Sequence, residues 1–423
     1  MAKNILFISS YAPPTISGGP KIIYNMLNSL PSDSYSILTS FYNIDSLFAK
    51  KGDWLDGKYV FYDKPKASKE DLQALQDGQL STQLRSLIHK LKFAAKRIKV
   101  IRNIIGIPII FYQVFAIVHH GKKIISEGQV DMLCGFSDYG PALIGTYFLH
   151  GATKKPYLIY MLDLYKGSAL PFPGGILAKM FEAKIFTGAE NIIVTNNGAL
   201  DYYKNKYEVD ITNKMTVIHN SVDRAPYLKL HTPYNPKSPY NIVFTGAIYW
   251  AQIRSLKNLI KAIDQMNDLD VKLKIYCPNP HEYLRKVGIV ESSRVSISAV
   301  APRDIQQIQC AADILFLPLS WNTKGQAIID TATPGKLADY LISGKPILIH
   351  APASSYLVKY ARDNHFASIV DEEDIKKLQD AIKKILTNRE YSKGLIENAK
   401  DTFDRNHNVT NNTKTFHSLI SQA

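Results

Sequence analysis

Two successive α/β halves, each a parallel sheet with helices on both faces, are the architecture this sequence predicts, and three observations carry that expectation. The chain has 423 residues, more than one ordinary hydrophobic core takes in, which points to two domains. Short apolar runs bounded by turn residues alternate with longer segments whose apolar residues recur at helical spacing. A segment with four prolines and no clean periodicity, Asp223 to Pro239, separates one such series from a second.

The elements follow in order. Ile5 to Ser9 is an apolar run and reads as a strand; a loop containing Gly18 and Gly19 comes next, and Ile22, Ile23, Met26, Leu27 and Leu30 then recur at helical spacing. Similar strands are expected at Ser36 to Thr39, Met132 to Gly135, Tyr157 to Met161 and Asn191 to Val194. Past the connector the pattern restarts with a strand at Asn241 to Phe244, a helix at Leu256 to Met266, and strands at Leu273 to Tyr276 and Val295 to Ile297. A helix at Pro302 to Ala311 and strands at Ile314 to Leu317, Pro346 to Ile349 and Ala367 to Val370 complete the set. In open parallel sheets ligands sit at the carboxyl ends of the strands, so the loops there are where function is sought.

Composition narrows the setting. The apolar share of 46% is ordinary for a globular chain. Cys134, Cys277 and Cys310 are far apart and lie in apolar runs, so neither a disulfide framework nor a CxxC metal knuckle is available, and a reducing cytosol is the expected compartment. The first apolar run is closed by Pro13 and Pro14 and reads as a strand, not as an export signal.

The formal charge of +14 calls for an anionic partner, and its distribution is uneven. Lys90, Lys92, Lys96, Arg97, Lys99, Arg102, Lys122 and Lys123 fall in one stretch with no Asp or Glu from Lys90 to Lys123. The apolar segment Ile104 to Val118 within it is shorter than the ~20 residues a spanning helix needs and is interrupted by Gly106 and Pro108, so it is not read as transmembrane. Cations mixed with Phe93, Ile98, Val100 and Ile101 suit an interfacial helix on an anionic membrane, with Lys90, Lys92, Lys96, Arg97, Lys99 and Arg102 as the membrane-binding residues. No recognised nucleic-acid module accompanies the charge, and nucleic acid is not expected as a partner.

The most informative chemistry lies between Ile314 and Ile349. A buried strand, ILFLPL, leads into the polar loop SWNTKGQAIIDTAT; Pro334 then stands where a helix would begin, with Thr333 before it as a hydroxyl cap. Such a start suits an anion: free backbone N–H groups carry partial positive charge, Gly335 allows close approach, and Lys336 adds a full charge. Asp339, three residues after Lys336, is placed to accept hydrogen bonds from ribose hydroxyls. The helix ends at Gly344, and Lys345-Pro346 launches the next strand.

In these residues the chain resembles the GT-B glycosyltransferases of the large retaining family with a Glu-x7-Glu motif in the carboxyl-terminal domain. The run from Asp339 to Leu348, DYLISGKPIL, matches the stretch that the second Glu begins, and Thr331 stands in place of the first. A sub-branch with P-S-K-L-x-E-Y-L is the better match, to Pro334-Gly335-Lys336-Leu337-Ala338-Asp339-Tyr340-Leu341. Phe244-Thr245-Gly246-Ala247 resembles the first strand and glycine of the family's second domain, and Arg254 stands at its phosphate-binding Lys. Val217 to Asp223, VIHNSVD, resembles I-x-N-G-V-D; Gly18-Gly19 resembles the glycine loop that approaches the donor phosphates; Leu162-Asp163-Leu164 resembles H-D-x without its His.

The resemblance implies two Rossmann-like domains with parallel sheets facing across a cleft. An acceptor-binding domain would span residues 1–222, with the basic membrane-facing segment at 88–123; a linker would follow at 223–239, the donor domain at 240–398, and a last helix at 399–423 packing back on the first domain. It further implies a retaining, metal-independent hexosyltransferase, cytoplasmic and peripheral on the inner face of the membrane. Such an enzyme moves a sugar from a UDP-sugar or another nucleotide sugar to a glycan or lipid-linked acceptor, in bacterial surface polysaccharide biosynthesis, without a cofactor. Donor contacts would come from Gly18, Gly19, Gly246, Ala247, Arg254, Tyr276, Thr333, Pro334, Gly335, Lys336, Leu337 and Asp339, and Asp163, Arg254 and Lys336 would serve catalysis. The alternatives are a non-catalytic binding protein and a nucleotide-sugar epimerase on the same fold.

Overall fold

A computed structural model of the chain describes residues 3–15, 18–44, 53–63, 99–168, 170, 172–321, 323 and 325–422, with the side chains of 99–105 excepted. The chain divides into two compact units: Met1–Ile218 with Asn412–Ala423, and His219–Asn411.

The first unit is built on a seven-stranded sheet in the order β3-β2-β1-β4-β5-β6-β7. The strands are β1 (Ile5–Ser9), β2 (Tyr35–Thr39), β3 (Lys58–Phe61), β4 (Met132–Phe136), β5 (Tyr157–Met161), β6 (Asn191–Val194) and β7 (Met215–Val217), every adjacent pair parallel. All five residues of β1, β4 and β5 are buried, as expected of central parallel strands covered on both faces. Its helices include α1 (Gly18–Leu27), α2 (Lys99–Glu127), α3 (Pro141–Thr153), α4 (Gly174–Gly188) and α5 (Asn197–Lys204). Phe416, from the closing segment of the chain, stacks on Phe7 of β1 at 6.3 Å and meets Tyr160 of β5 edge-on at 6.2 Å.

The second unit has six parallel strands in the order β10-β9-β8-β11-β12-β13. They are β8 (Tyr240–Thr245), β9 (Val271–Tyr276), β10 (Val295–Ser298), β11 (Ile314–Pro318), β12 (Ile347–His350) and β13 (Ala367–Val370). Alternate residues point to opposite faces and join different cores: Val243, Leu315, Leu317, Ile347 and Ile349 pack in one, Ile242, Phe244, Ile314, Phe316 and Leu348 in the other. Around the sheet lie α6 (Ala225–Leu230), α7 (Trp250–Asp264), α8 (Ile305–Cys310), α9 (Gln326–Thr331), α10 (Leu337–Ile342), α11 (Tyr356–Asn364), α12 (Ile375–Thr387) and α13 (Arg389–Thr402). A last helix, α14 (Val409–Gln422), leads from this unit into the first.

Several local expectations need correction. The connector is not irregular throughout: α6 lies inside it, with Pro226 in its first turn, where a proline costs no hydrogen bond. The segment containing Gly106 and Pro108 is not broken there, for α2 runs through both. The polar loop after β11 contains α9. Helix α10 starts at Leu337, with Lys336 as its cap residue and no side-chain cap, so Thr333 is not the cap. At six residues its macrodipole is slight, and the local positive charge belongs mainly to Lys336. All three cysteines are free and buried.

Candidate functional site

In each sheet the strand order reverses beside the first strand, and the loops leaving the two strands at that point frame a crevice of the kind that receives ligands. In the second unit these are the loops after β8 and β11, and they are tied together: Ser320 N donates to Ala251 O at 2.7 Å and Arg254 N to Ser320 Oγ at 3.1 Å.

Strand β8 ends at Thr245, whose N–H donates to Tyr340 Oη at 3.1 Å. Gly246 follows at φ +109°, a backbone conformation that L side chains rarely adopt, and its N–H donates to Tyr276 O at 2.8 Å. Lys336 fills the space a side chain at Gly246 would need: a Cβ there would lie 3.2 Å from Lys336 Cε. The Lys336 ammonium rests 4.0 Å from the centroid of the Phe244 ring, and among the described residues it has no ion pair or hydrogen bond. Burial pushes it down to about 7. The lysine is half-buried with no carboxylate beside it, so the anion that would pair with it is one the protein does not itself supply.

The other residues singled out in the sequence fall around this point with differing freedom. Arg254, on α7, is half exposed and its guanidinium pairs with Glu373. Asp339 is buried on α10 and accepts a hydrogen bond from Tyr227 on α6. Tyr227 also meets Gln309 at 3.4 Å, and Gln309 Nε2 donates to Thr245 Oγ1 at 3.0 Å, so one buried network joins Asp339 to the end of β8. Ala247 and Gly335 are exposed, Tyr276, Thr333 and Pro334 are half-buried, and Leu337 belongs to the core and offers a ligand only its backbone. The Thr333 hydroxyl is buried and has no hydrogen-bond partner among the described residues. Thr331 Oγ1 donates to Ala327 O at 2.7 Å, which spends its hydroxyl within α9.

In the first unit the corresponding loops leave β1 and β4. Gly18 and Gly19 open α1; a Cβ at Gly19 would lie 3.2 Å from Leu162 Cδ1, whereas Gly18 faces open space. Leu162 N and Asp163 N both donate to Ser137 Oγ, at 2.8 and 3.4 Å. Asp163 is solvent-accessible, and the protein around it raises its pKa. Sequence reasoning missed Asp138. Its carboxylate accepts from Ser10 Oγ, from Gly140 N at 2.7 Å and from Ala142 N at 3.1 Å, and burial pushes it up to about 6 against those hydrogen bonds. The signal was present as Asp-x-Gly-Pro at the start of an apolar helical run, an acidic residue set to receive the N–H groups that open α3. Glu182 of α4 was also missed; fully buried, it accepts from Lys166 N at 2.6 Å, from Tyr207 Oη at 2.7 Å and from the Lys206 ammonium. That carboxylate pins the loop that carries Asp163.

Of the residues assigned to a membrane surface, Lys90, Lys92, Lys96 and Arg97 lie outside the described residues, and Lys99 and Arg102 lie in α2 where side chains are not described. Further along α2, Ile107, Phe111 and Phe115 recur four residues apart with Tyr112 beside them, all exposed, Phe115 at 69%. Exposed His119, Lys122 and Lys123 follow on the same helix. Gly106 packs on Pro173, which brings exposed Phe172 and Ile176 next to this ridge. No helix among the described residues is long and apolar enough to cross a membrane. Among the described residues no three His, Cys, Asp or Glu side chains group so as to hold a metal ion.

Comparison with known proteins adds the following. Residues 239–388 match the family described as glycosyl transferases group 1. A comparison with curated proteins gives no match. Among solved structures, sucrose-phosphate synthase from Thermosynechococcus elongatus is similar at a TM-score of 0.64 and 12% identity, over 99% of this chain and 98% of that one. Anabaena HepE in complex with UDP and glucose is similar at 0.61 and 12%, over 100% of both chains. WaaG, a glycosyltransferase involved in lipopolysaccharide biosynthesis, is similar at 0.58 and 12%, over 99% of this chain and 100% of that one. Residues 239–388 thus match the glycosyl transferases group 1 family, and the two parallel-sheet units have the GT-B fold.

Proposed function

We propose that the protein is a retaining, metal-independent glycosyltransferase that moves a sugar from a UDP-sugar to a glycan or lipid-linked glycan at an anionic membrane surface. The observation that carries the reading is the uncompensated Lys336 ammonium beside Gly246, at the strand-order reversal of the family-matched domain. A diphosphate supplies the anion that Lys336 lacks, and a glycine at positive φ lets the backbone approach it. Arg254 joins by exchanging Glu373 for phosphate oxygens. Tyr227, Gln309 and Tyr340 hold Asp339 and Thr245 in register beneath the nucleotide. HepE, known in complex with UDP and glucose, supports a uridine donor.

In the reaction, the bond between the sugar's anomeric carbon and the phosphate oxygen breaks while the acceptor oxygen bonds to that carbon from the same face. The acceptor proton passes to the departing phosphate. Lys336 and Arg254 stabilise the negative charge gathering on the diphosphate, and no enzyme nucleophile takes part. The test is thermal unfolding and turnover with UDP, GDP, CMP and dTDP sugars: protection and consumption by a UDP-sugar are expected, and the absence of both across the set overturns the reading. A donor bound but never consumed, even with native lipid extract, identifies a binding protein; a donor isomerised without acceptor identifies an epimerase.

For the membrane the support is the apolar ridge of α2, which meets a basic end at Lys122 and Lys123 and is preceded by the basic residues from Lys90. Apolar and aromatic groups below the phosphates with cations among them is the arrangement an interfacial helix uses. Together with the lipopolysaccharide role of WaaG, it supports an inner-face location and a part in bacterial surface polysaccharide assembly. Phe111→Glu with Phe115→Glu is expected to reduce sedimentation with phosphatidylglycerol vesicles at least tenfold while leaving UDP-sugar binding within twofold. Equal loss of both overturns this division of labour.

A further inference from the structure

We infer that Trp250, with Tyr249 beside it, is a platform on which the pyranose ring of the donor stacks; the assignment rests on the donor reading above. Tyr249 and Trp250 are the only exposed large aromatic residues among the described residues of the second unit, at 43% and 39%. They stand together, ring centroids 5.9 Å apart at 81°, where the chain enters α7, three and four residues beyond Gly246. Helix α7 buries its apolar residues, Leu256, Leu259, Ala262 and Ile263, on the opposite side from solvent, so this pair breaks the pattern of its own helix.

The indole lies across the strand-order reversal. A Cβ at Gly325 would fall 2.6 Å from Trp250 Cη2, so only a glycine lets the loop after β11 meet the ring. Gly325 opens α9, and α9 ends at Thr331, where the family resemblance places the first Glu of its motif, a sugar contact. Thr331 has no carboxylate, and its hydroxyl is bonded within the helix. The neighbouring carboxylate, Asp330, is held by Gln326 Nε2 and Ser354 Oγ at 2.9 Å each. With the acidic contact gone, an exposed aromatic face stands at the opposite end of α9 from Thr331, four residues along the chain from the Gly246 that Lys336 packs against. A pyranose presents axial C–H groups on one side, and an indole, the most electron-rich ring in proteins, packs against them.

The test is calorimetric titration of the full chain with UDP and with the tightest-binding member of UDP-glucose, UDP-galactose, UDP-N-acetylglucosamine and UDP-glucuronate. In Trp250→Ala the dissociation constant of the UDP-sugar is expected to rise roughly three- to tenfold while that of UDP changes less than twofold; Trp250→Phe keeps most of the sugar affinity. Thermal midpoints of the free variants show that both remain folded. Equal weakening of UDP and UDP-sugar assigns the ring to the nucleobase and overturns the inference, and so does an unchanged UDP-sugar affinity. Variants that bind UDP and the UDP-sugar as the wild type does therefore refute the platform alone, whereas a wild-type chain that binds neither ligand refutes the donor reading and the platform with it.

Discussion

Lys336→Met is expected to weaken UDP-sugar binding about a hundredfold, ~3 kcal/mol, with little change in the thermal midpoint of the free protein. The substitution keeps the alkyl stem over the Phe244 ring and beside Gly246 and removes only the charge, so lost affinity reports the charge. A pH signature accompanies it. Because the free ammonium titrates near 7, it is largely neutral at pH 8, and a bound diphosphate restores its proton. Binding therefore takes up nearly one proton at pH 8 to 9, and affinity falls about tenfold per pH unit above 7 for as long as the bound lysine stays charged. A UDP-sugar, unlike UDP, has no phosphate proton titrating near 6 to confuse this slope. The stability of the free protein has the opposite sense. An unfolded lysine titrates near ~10.4, so between about 7 and that value the unfolded chain holds more protons, and folding becomes more favourable as pH rises. Titrations in buffers of different ionisation enthalpy measure the uptake; wild type and Lys336→Met with the same uptake would assign the proton elsewhere.

Glu182→Leu is expected to cost roughly 3–5 kcal/mol of stability, because it leaves the Lys206 ammonium largely buried without its counter-charge and strips Lys166 N and Tyr207 Oη of their acceptor. The pair itself is not the source of that stability. Replacing a buried ion pair by apolar residues is often neutral, so Glu182→Leu with Lys206→Met is expected to regain at least half of the loss. Denaturant unfolding of the two single variants and the double variant measures the coupling; additive losses would show that Glu182 acts through the backbone of the 162–168 loop and not through Lys206.

The central strands were legible because both faces are covered, which makes them continuous apolar runs: ILFIS, MLCGF, YLIYM and ILFLP need no partner to be recognised. The edge strands of the first sheet were not. KYVF in β3 has exposed and half-buried residues, and MTV in β7 is three residues long, so neither stands out from a loop. Helix α9, QAIIDT, is too short for its period to show, and Pro226 was read as a breaker when it sits in a helix's first turn. At the site, the sequence placed Lys336 and Asp339 but not their surroundings. The Tyr227 hydroxyl that holds Asp339 and the Glu373 that holds Arg254 come from more than a hundred residues away, and no local pattern connects them. Trp250 passed unremarked because the helix was expected to begin only at Leu256, which left the residue in a loop, whereas it opens α7 and is exposed there.

The placement of residues 412–423 with the first unit has a consequence for biosynthesis. The sheet of the first unit buries Phe7, made before the second unit, against Phe416, made after it. The second unit, His219–Asn411, is one continuous span and has by then been synthesised whole. Folding as units during synthesis therefore runs against sequence order here: the inserted body completes first, while the earlier one waits with part of its β1 face uncovered. Until the last helix arrives, Phe7 and Tyr160 form an apolar surface in need of cover, and the nascent chain is at its most vulnerable to aggregation in that interval.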